Sequence, residues 1–367
     1  MHRFHALAAA ACATFAGSAY AQASTSSVTL QVIVDASARA THNSIGTLKS
    51  LSSGNNSTSR LVLRGTEDLG DGLSAGFWLE SAIFTDTGTA GGVAVAPANQ
   101  FWDRTAIVKL ASIRWGEVRL GREWTPVFLG WVYSDPFIAV GVGSAANFFS
   151  SSASTVLIRA FGSAIQPSTI SRSSNALQYW LPSGLGGVNG QLMATSGEGA
   201  NAQGSFRYTS GKLGWRNAQI DASVYYGATR IDATASDLKQ TGVYGAYDFG
   251  FMRLAASVTE SKYLSSKQLN TIVGLNVPIG VHLIRASYNR ADQKGTDAAN
   301  ASIDANDATM LAIGYQYSLS KRTALYTQYA HISNKGTARF AAPGGPAGLI
   351  DAGSSSSGFE AGIRSSF

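Results

Sequence analysis

The sequence holds a single cysteine, and it falls at position 12, inside a leader. MHRFHALAAAACATFAGSAYAQA carries Arg3 in a basic n-region, an apolar run from Ala6 to Gly17 and the small-residue pattern Ala19-Tyr20-Ala21. That is the layout of a secretory signal peptide cut after Ala21. Residues 1–21 are therefore expected to be removed, leaving 22–367 as one domain. The exported chain then has no disulfide, although its compartment permits one. Long hydrophobic runs are missing too: nothing after the leader approaches the ~20 apolar residues of a membrane helix. Charged residues are only 14% of the chain, and its 28 basic and 22 acidic side chains are spread singly. Nucleic-acid binding needs a clustered basic stripe, so no nucleic-acid partner is expected. Histidine is sparse as well. After the leader only His42, His282 and His331 remain, none in a nucleophile motif and without metal-ligand spacing. Gly141-Val142-Gly143 lacks the strand-to-helix context of a phosphate cradle. Neither catalytic residues, a metal site nor a cofactor is expected.

The chain does have alternation, from end to end. Val28, Leu30, Val32 and Val34 interleave with Thr29, Gln31, Ile33 and Asp35; Leu311, Ile313, Tyr315 and Tyr317 interleave with Ala312, Gly314 and Gln316. Period two marks strands with one apolar face. The opposite face carries Gly, Ser, Thr, Gln and single charges rather than the Lys and Glu of a water-exposed sandwich. That leaves a soluble all-β protein or a barrel with an aqueous interior, and the small polar face suits the second. Sixteen segments alternate in this way. They begin with 27–37 and 58–67, include 201–210 and 215–229, and end with 357–367. Short turns such as EDLGDG (67–72), DFG (248–250) and PIG (278–280) alternate with longer Ser/Gly/Asn/Ala-rich segments, among them 38–57, 86–100, 291–306 and 334–357. Short turns at one end and long loops at the other is the layout of an outer-membrane barrel. One connection, 124–171, is too long for an ordinary loop. Its aromatics (Trp124, Phe128, Trp131, Tyr133, Phe137, Phe148, Phe149) predict a segment folded back and packed inside.

The chain resembles the Gram-negative general porin family, in its β-proteobacterial branch. The matching pieces are SSVTLQVIVDAS, STSRLVLRGTEDLGDGLSAGFWLE, GEVRLGREWTP before the long loop, DPF within it, LSKRTALYTQYA and the closing GIRSSF. The resemblance implies a transmembrane antiparallel 16-stranded β-barrel whose third loop (124–171) enters and narrows the lumen. It also implies a homotrimer in the outer membrane, among lipid and lipopolysaccharide. Insertion would be by the barrel-assembly machinery, which reads the terminal Phe367. The expected function is passive diffusion of small hydrophilic solutes and inorganic anions; the alternative is a porin selective for small organic anions. Strand one departs from the family pattern with Gln31-Val32 in place of Tyr-Gly, and the long loop is unusually apolar and poor in acids.

The family sets a cluster of arginines on the wall facing the loop, and Arg60, Arg104 and Arg172 match those positions. Parity supports Arg60, opposite to Leu61 and Leu63, and Arg172, opposite to Leu177 and Tyr179. Arg104 shares parity with Ala106, Val108 and Leu110, which counts against it. Pairing Glu67 with Leu73 across the turn would set Arg60 opposite Glu80 as a cross-strand ion pair. Arg64 would line the exit. Between Trp124 and Ser171 the only charges are Asp135 and Arg159, so the loop cannot neutralise the wall and the pore should prefer anions. Asp135 is entered here as a pore-lining partner, although in DPF it also reads as a turn cap.

Overall fold

The structure, a computed structural model, describes residues 26–92, 100–162, 169–197 and 206–367. The expected leader, and the first half of the strand expected at 201–210, lie outside the described residues. Strand follows strand: β1 (Ser27–Asn43), β2 (Gly46–Ser53), β3 (Arg60–Gly70), β4 (Leu73–Phe84), β5 (Thr89–Ala90), β6 (Thr105–Ser112), β7 (Gly116–Trp124), β8 (Arg172–Trp180), β9 (Val188–Thr195), β10 (Tyr208–Arg216), β11 (Ile220–Ile231), β12 (Ser236–Asp248), β13 (Arg253–Tyr263), β14 (Ser266–Ile279), β15 (His282–Gly295), β16 (Ala308–Ser318), β17 (Thr323–Asn334) and β18 (Ser356–Ser366). Three short helices, α1 (Pro126–Trp131), α2 (Ala146–Phe149) and α3 (Thr155–Phe161), lie between β7 and β8.

All neighbouring pairs are antiparallel, and β18 returns to β1 with Ile33 opposite Ser366 and His42 opposite Ser357. β2 and β3 are two halves of one barrel strand: β1 pairs with β2 through residues 36–43 and with β3 through residues 27–33. β5 pairs only with the end of β4, in the loop beyond it. The described residues thus form a closed sixteen-stranded antiparallel barrel. Closure pairs every strand and leaves no edge, which a hydrocarbon setting demands.

The outer face is the apolar half of the alternation. Val28, Leu30 and Val34 of β1, Leu311 and Ile313 of β16, and Phe359 and Ile363 of β18 are exposed. Between them Ile33, Asp35, Met310, Ala312 and Glu360 are buried on the inner side. Trp115, Trp215, Tyr247, Phe249, Phe251 and Phe367 add an exposed aromatic rim near the short turns, of the kind that sits at the headgroup level.

Two boundaries differ from the sequence reading. The segment 38–57 is mostly strand, not loop: β1 runs on to Asn43, turns at Ser44-Ile45 and returns as β2. Its 17 residues at ~3.3 Å each outreach the ~25 Å apolar band, so the far end meets no lipid and shows no alternation. The strand expected to end at 210 instead runs to Arg216. Its turn is built by Asn217, whose side-chain oxygen accepts from the backbone N–H of Gln219 and Ile220.

The long connection is buried against the inner wall. Val127, Phe128 and Trp131 of α1 pack with Tyr225, Tyr244, Ala255 and Ile272 of β11–β14. Phe137, Val142 and Phe148 pack with Ala291, Met310, Ala330 and Ile332 of β15–β17 and with Phe340 of the last loop. Glycines make room for it. A Cβ at Gly274 would stand 2.2 Å from the Ser134 carbonyl oxygen, and one at Gly358 would stand 2.5 Å from Val142. The expectation that the loop aromatics pack inside fits Phe128, Trp131, Phe137, Phe148 and Phe149, whereas Tyr133 is exposed.

Candidate functional site

The barrel encloses a cavity of about 730 Å³ with two unlike sides. Arg60, Arg64, Arg104, Arg172 and Arg364 line one, Arg285 of β15 joins the lining beside the loop with its guanidinium over Phe137, and Glu80 is the only carboxylate among the lining residues. The other side is the loop, presenting Leu129, Val132, Pro136, Ile138, Ala139 and Val140. Of the residues singled out from sequence, Arg60, Arg64, Arg104, Arg172 and Glu80 come together here. Asp135 does not, and its assignment as a pore-lining partner is corrected. It is fully buried, with one oxygen accepting from Phe137 N–H (2.9 Å) and the other from Ala139 N–H (3.0 Å) and Ala145 N–H (2.9 Å). Burial pushes its carboxyl up to about 6, with these three donors and the Arg285 charge pulling the other way. It is the staple of the loop, in keeping with the turn-cap reading of DPF.

The hairpin register also differs from expectation. Glu80 lies opposite Val62, and Arg60 opposite Ala82, two residues from the expected register, because the turn is tighter: Gly70 pairs with Leu73, and Glu67 with Ala75. The slip is even, so facing is kept and the Arg60–Glu80 pair becomes diagonal, at 3.5 Å. Glu80 binds Arg104 more closely, at 2.5 Å. Arg104 precedes β6, so strand parity does not govern it; its backbone N–H donates to Glu80 O and its side chain turns inward. Arg172 lies over the ring of Trp124, 3.2 Å from the centroid. Trp124 stacks on Phe128 at 4.3 Å, and Trp131 on Phe149 at 4.1 Å. Phe128 meets Trp131 edge-on at 5.0 Å. A run of rings thus joins the arginine wall to the loop. Arg64 lies over Trp78 at 3.7 Å.

Two arginines of the cavity were missed. Arg285 donates to Asn56 Oδ1 at 2.5 Å, and Arg364 lines the cavity from β18. A signal existed: Arg285 shares parity with Ser287 and Asn289, and Arg364 with Glu360 and Gly362. A second inward segment, Gly54 to Ser59, interrupts β2 and β3. Buried Asp35 anchors it by accepting from Asn56 N–H (2.8 Å), Ser57 N–H (2.7 Å) and the Tyr326 hydroxyl (2.6 Å). It returns the favour to Arg60, whose Nη1 donates to Ser57 Oγ (3.2 Å) and Thr58 O (3.0 Å). Phe367 closes the seam, exchanging backbone hydrogen bonds with Val32, each 2.9 Å.

A closed barrel with an apolar exterior, a polar inner wall and a charged lumen defines a β-barrel channel of the outer membrane. The family model described as "Gram-negative porin" matches residues 6–337, and the chain belongs to that family. It is 33% identical over 366 residues to Outer membrane porin protein 32 of Delftia acidovorans, covering 96% of both chains. It is 28% identical to an outer membrane porin protein of Bordetella pertussis, covering 89% of this chain and 94% of that one. The solved structure of an anion-selective porin from Comamonas acidovorans aligns with TM-score 0.78 and 32% identity, over 93% of this chain and all of the other. The chain is an outer-membrane porin for passive diffusion, not an enzyme.

Proposed function

We propose that this porin prefers anions and that the 124–171 segment is its constriction. One observation carries the reading: six arginines and one carboxylate line a single cavity. A guanidinium stays charged at any physiological pH. In a narrow passage with low-dielectric walls, an excess of fixed positive charge raises the local concentration of anions and repels cations. The loop places no carboxylate among the lining residues: Asp135 is buried among backbone donors, where its charge bears on Arg285 alone. Arg60, Arg104 and Arg172 then act as the basic wall, with Glu80 orienting the first two. The similarity to the anion-selective porin of Comamonas acidovorans supports this. A homotrimer is part of the proposal, supported by family membership and by the trimer form named for a Vibrio cholerae outer membrane protein of the same fold. Its surroundings of lipid and lipopolysaccharide, and its insertion by the barrel-assembly machinery, are proposed on the same footing. The test is the reversal potential of the purified protein in planar bilayers across a KCl gradient. Chloride preference at low salt that weakens at high salt is expected; potassium preference refutes the reading.

A further inference from the structure

We infer that the cavity selects organic anions with an apolar body, aromatic carboxylates in particular, over compact anions of equal charge. The inference rests on the anion-preferring reading and adds the substrate class. On the basic side the guanidinium groups of Arg64, Arg172 and Arg364 form no hydrogen bond or ion pair among the described residues. Arg172 Nε and Nη2 and Arg364 Nε are buried atoms without a partner. Buried donors need acceptors, and a carboxylate offers two oxygens in the geometry that a guanidinium fork matches. A chloride ion would satisfy the charge alone.

The facing side explains the rest of the ligand. Inorganic ions gain nothing from Leu129, Val132, Pro136, Ile138 and Val140, and an apolar constriction hinders them by shedding water. Ile138 is 51% exposed and has φ +49°, followed by Ala139 at +58°. A β-branched residue avoids that conformation. Such strain persists where the surroundings over-determine it, commonly at ligand sites. Here Asp135 over-determines it, gripping the N–H groups of Phe137 and Ala139 on either side of Ile138. The turn therefore holds an isoleucine out toward the arginines at a cost that a polar residue would not incur. At about 730 Å³ the cavity falls within the range of small-molecule sites, ~300–1,000 Å³. A ring lying on the loop displaces loosely held water while its carboxylate meets the guanidiniums.

The experiment titrates sodium benzoate and sodium acetate against the chloride current of the full chain in planar bilayers. Benzoate should reduce the current at a half-saturating concentration about tenfold below that of acetate, as burial of part of a ring predicts. Ile138→Asn should erase that difference, and the turn should keep its shape, since asparagine tolerates positive φ. Arg364→Gln should weaken both anions alike. Equal concentrations for benzoate and acetate, or a difference that survives Ile138→Asn, overturn the inference. Potassium preference in KCl alone would instead remove the anion reading beneath it.

Discussion

Replacing Glu80 with glutamine should make the pore more selective for anions. Among the described residues Glu80 is the one carboxylate lining the cavity, and it engages Arg104 at 2.5 Å and Arg60 at 3.5 Å. Glutamine keeps the shape and removes the charge. An ion passing ~8 Å away, at an effective dielectric of ~60, feels about 0.7 kcal/mol from one unit charge. At ~0.1 M salt the screening length is ~10 Å, and about 0.3 kcal/mol remains. The loss of negative charge helps anions and hinders cations equally, so their ratio moves by about 0.6 kcal/mol, roughly threefold. Leaving two guanidiniums without their carboxylate costs about 1–3 kcal/mol of stability, which a closed barrel should survive. The assay is the reversal potential in a shallow KCl gradient around ~0.1 M, repeated near ~1 M, where a screening length of ~3 Å should abolish the change. Glu80→Gln with Arg104→Gln should return the ratio to that of the parent. An unmoved potential at low salt, or a move toward potassium, would refute the electrostatic account.

Asp135→Ala removes the acceptor for three N–H groups and should loosen the loop by about 3 kcal/mol or more; noisier open-channel current and faster proteolysis within 135–145 would report it. The Asp135 carboxyl, raised to about 6 by burial, holds its proton more tightly folded than unfolded. Protonation therefore favours the folded loop as pH falls from about 6 toward about 4. Crossing that window also removes the negative charge that offsets Arg285, so chloride preference should climb between neutral and mildly acid pH, and Asp135→Asn should flatten the step. Deleting Phe367 takes away both hydrogen bonds to Val32 at the seam and should lower the yield of heat-modifiable barrel in the outer membrane severalfold.

Strand number and facing were legible because lipid on one side and water on the other leave a two-residue period in the sequence. Val28 to Asp35 and Leu311 to Tyr317 show it cleanly. Where a strand leaves the apolar band the contrast ends, which is why 38–57 read as loop. Arg60 and Arg172 were legible for the same reason, since a charge on the small face must look inward. Arg104 was not, because it stands ahead of its strand, where parity has no force. How tightly the β3–β4 turn closes is a local effect: moving the pairing by two residues leaves parity unchanged and so leaves no trace in the pattern. The role of Asp135 depended on what it touches: a lone acid in a loop does not reveal whether water or three backbone donors surround it.

The partners of the 124–171 segment also bear on the order of assembly. It is made before β8, yet it packs on β11 through β18, and Val142 donates its N–H to Glu360 across 218 positions of sequence. Contacts so distant along the chain form slowly, and these need side chains that arrive with the final strand. The wall must therefore be substantially complete before the loop has a place to settle. If the segment is the constriction proposed above, maturation of this pore ends as a filling step, in which a wide hollow barrel becomes a narrow, discriminating one.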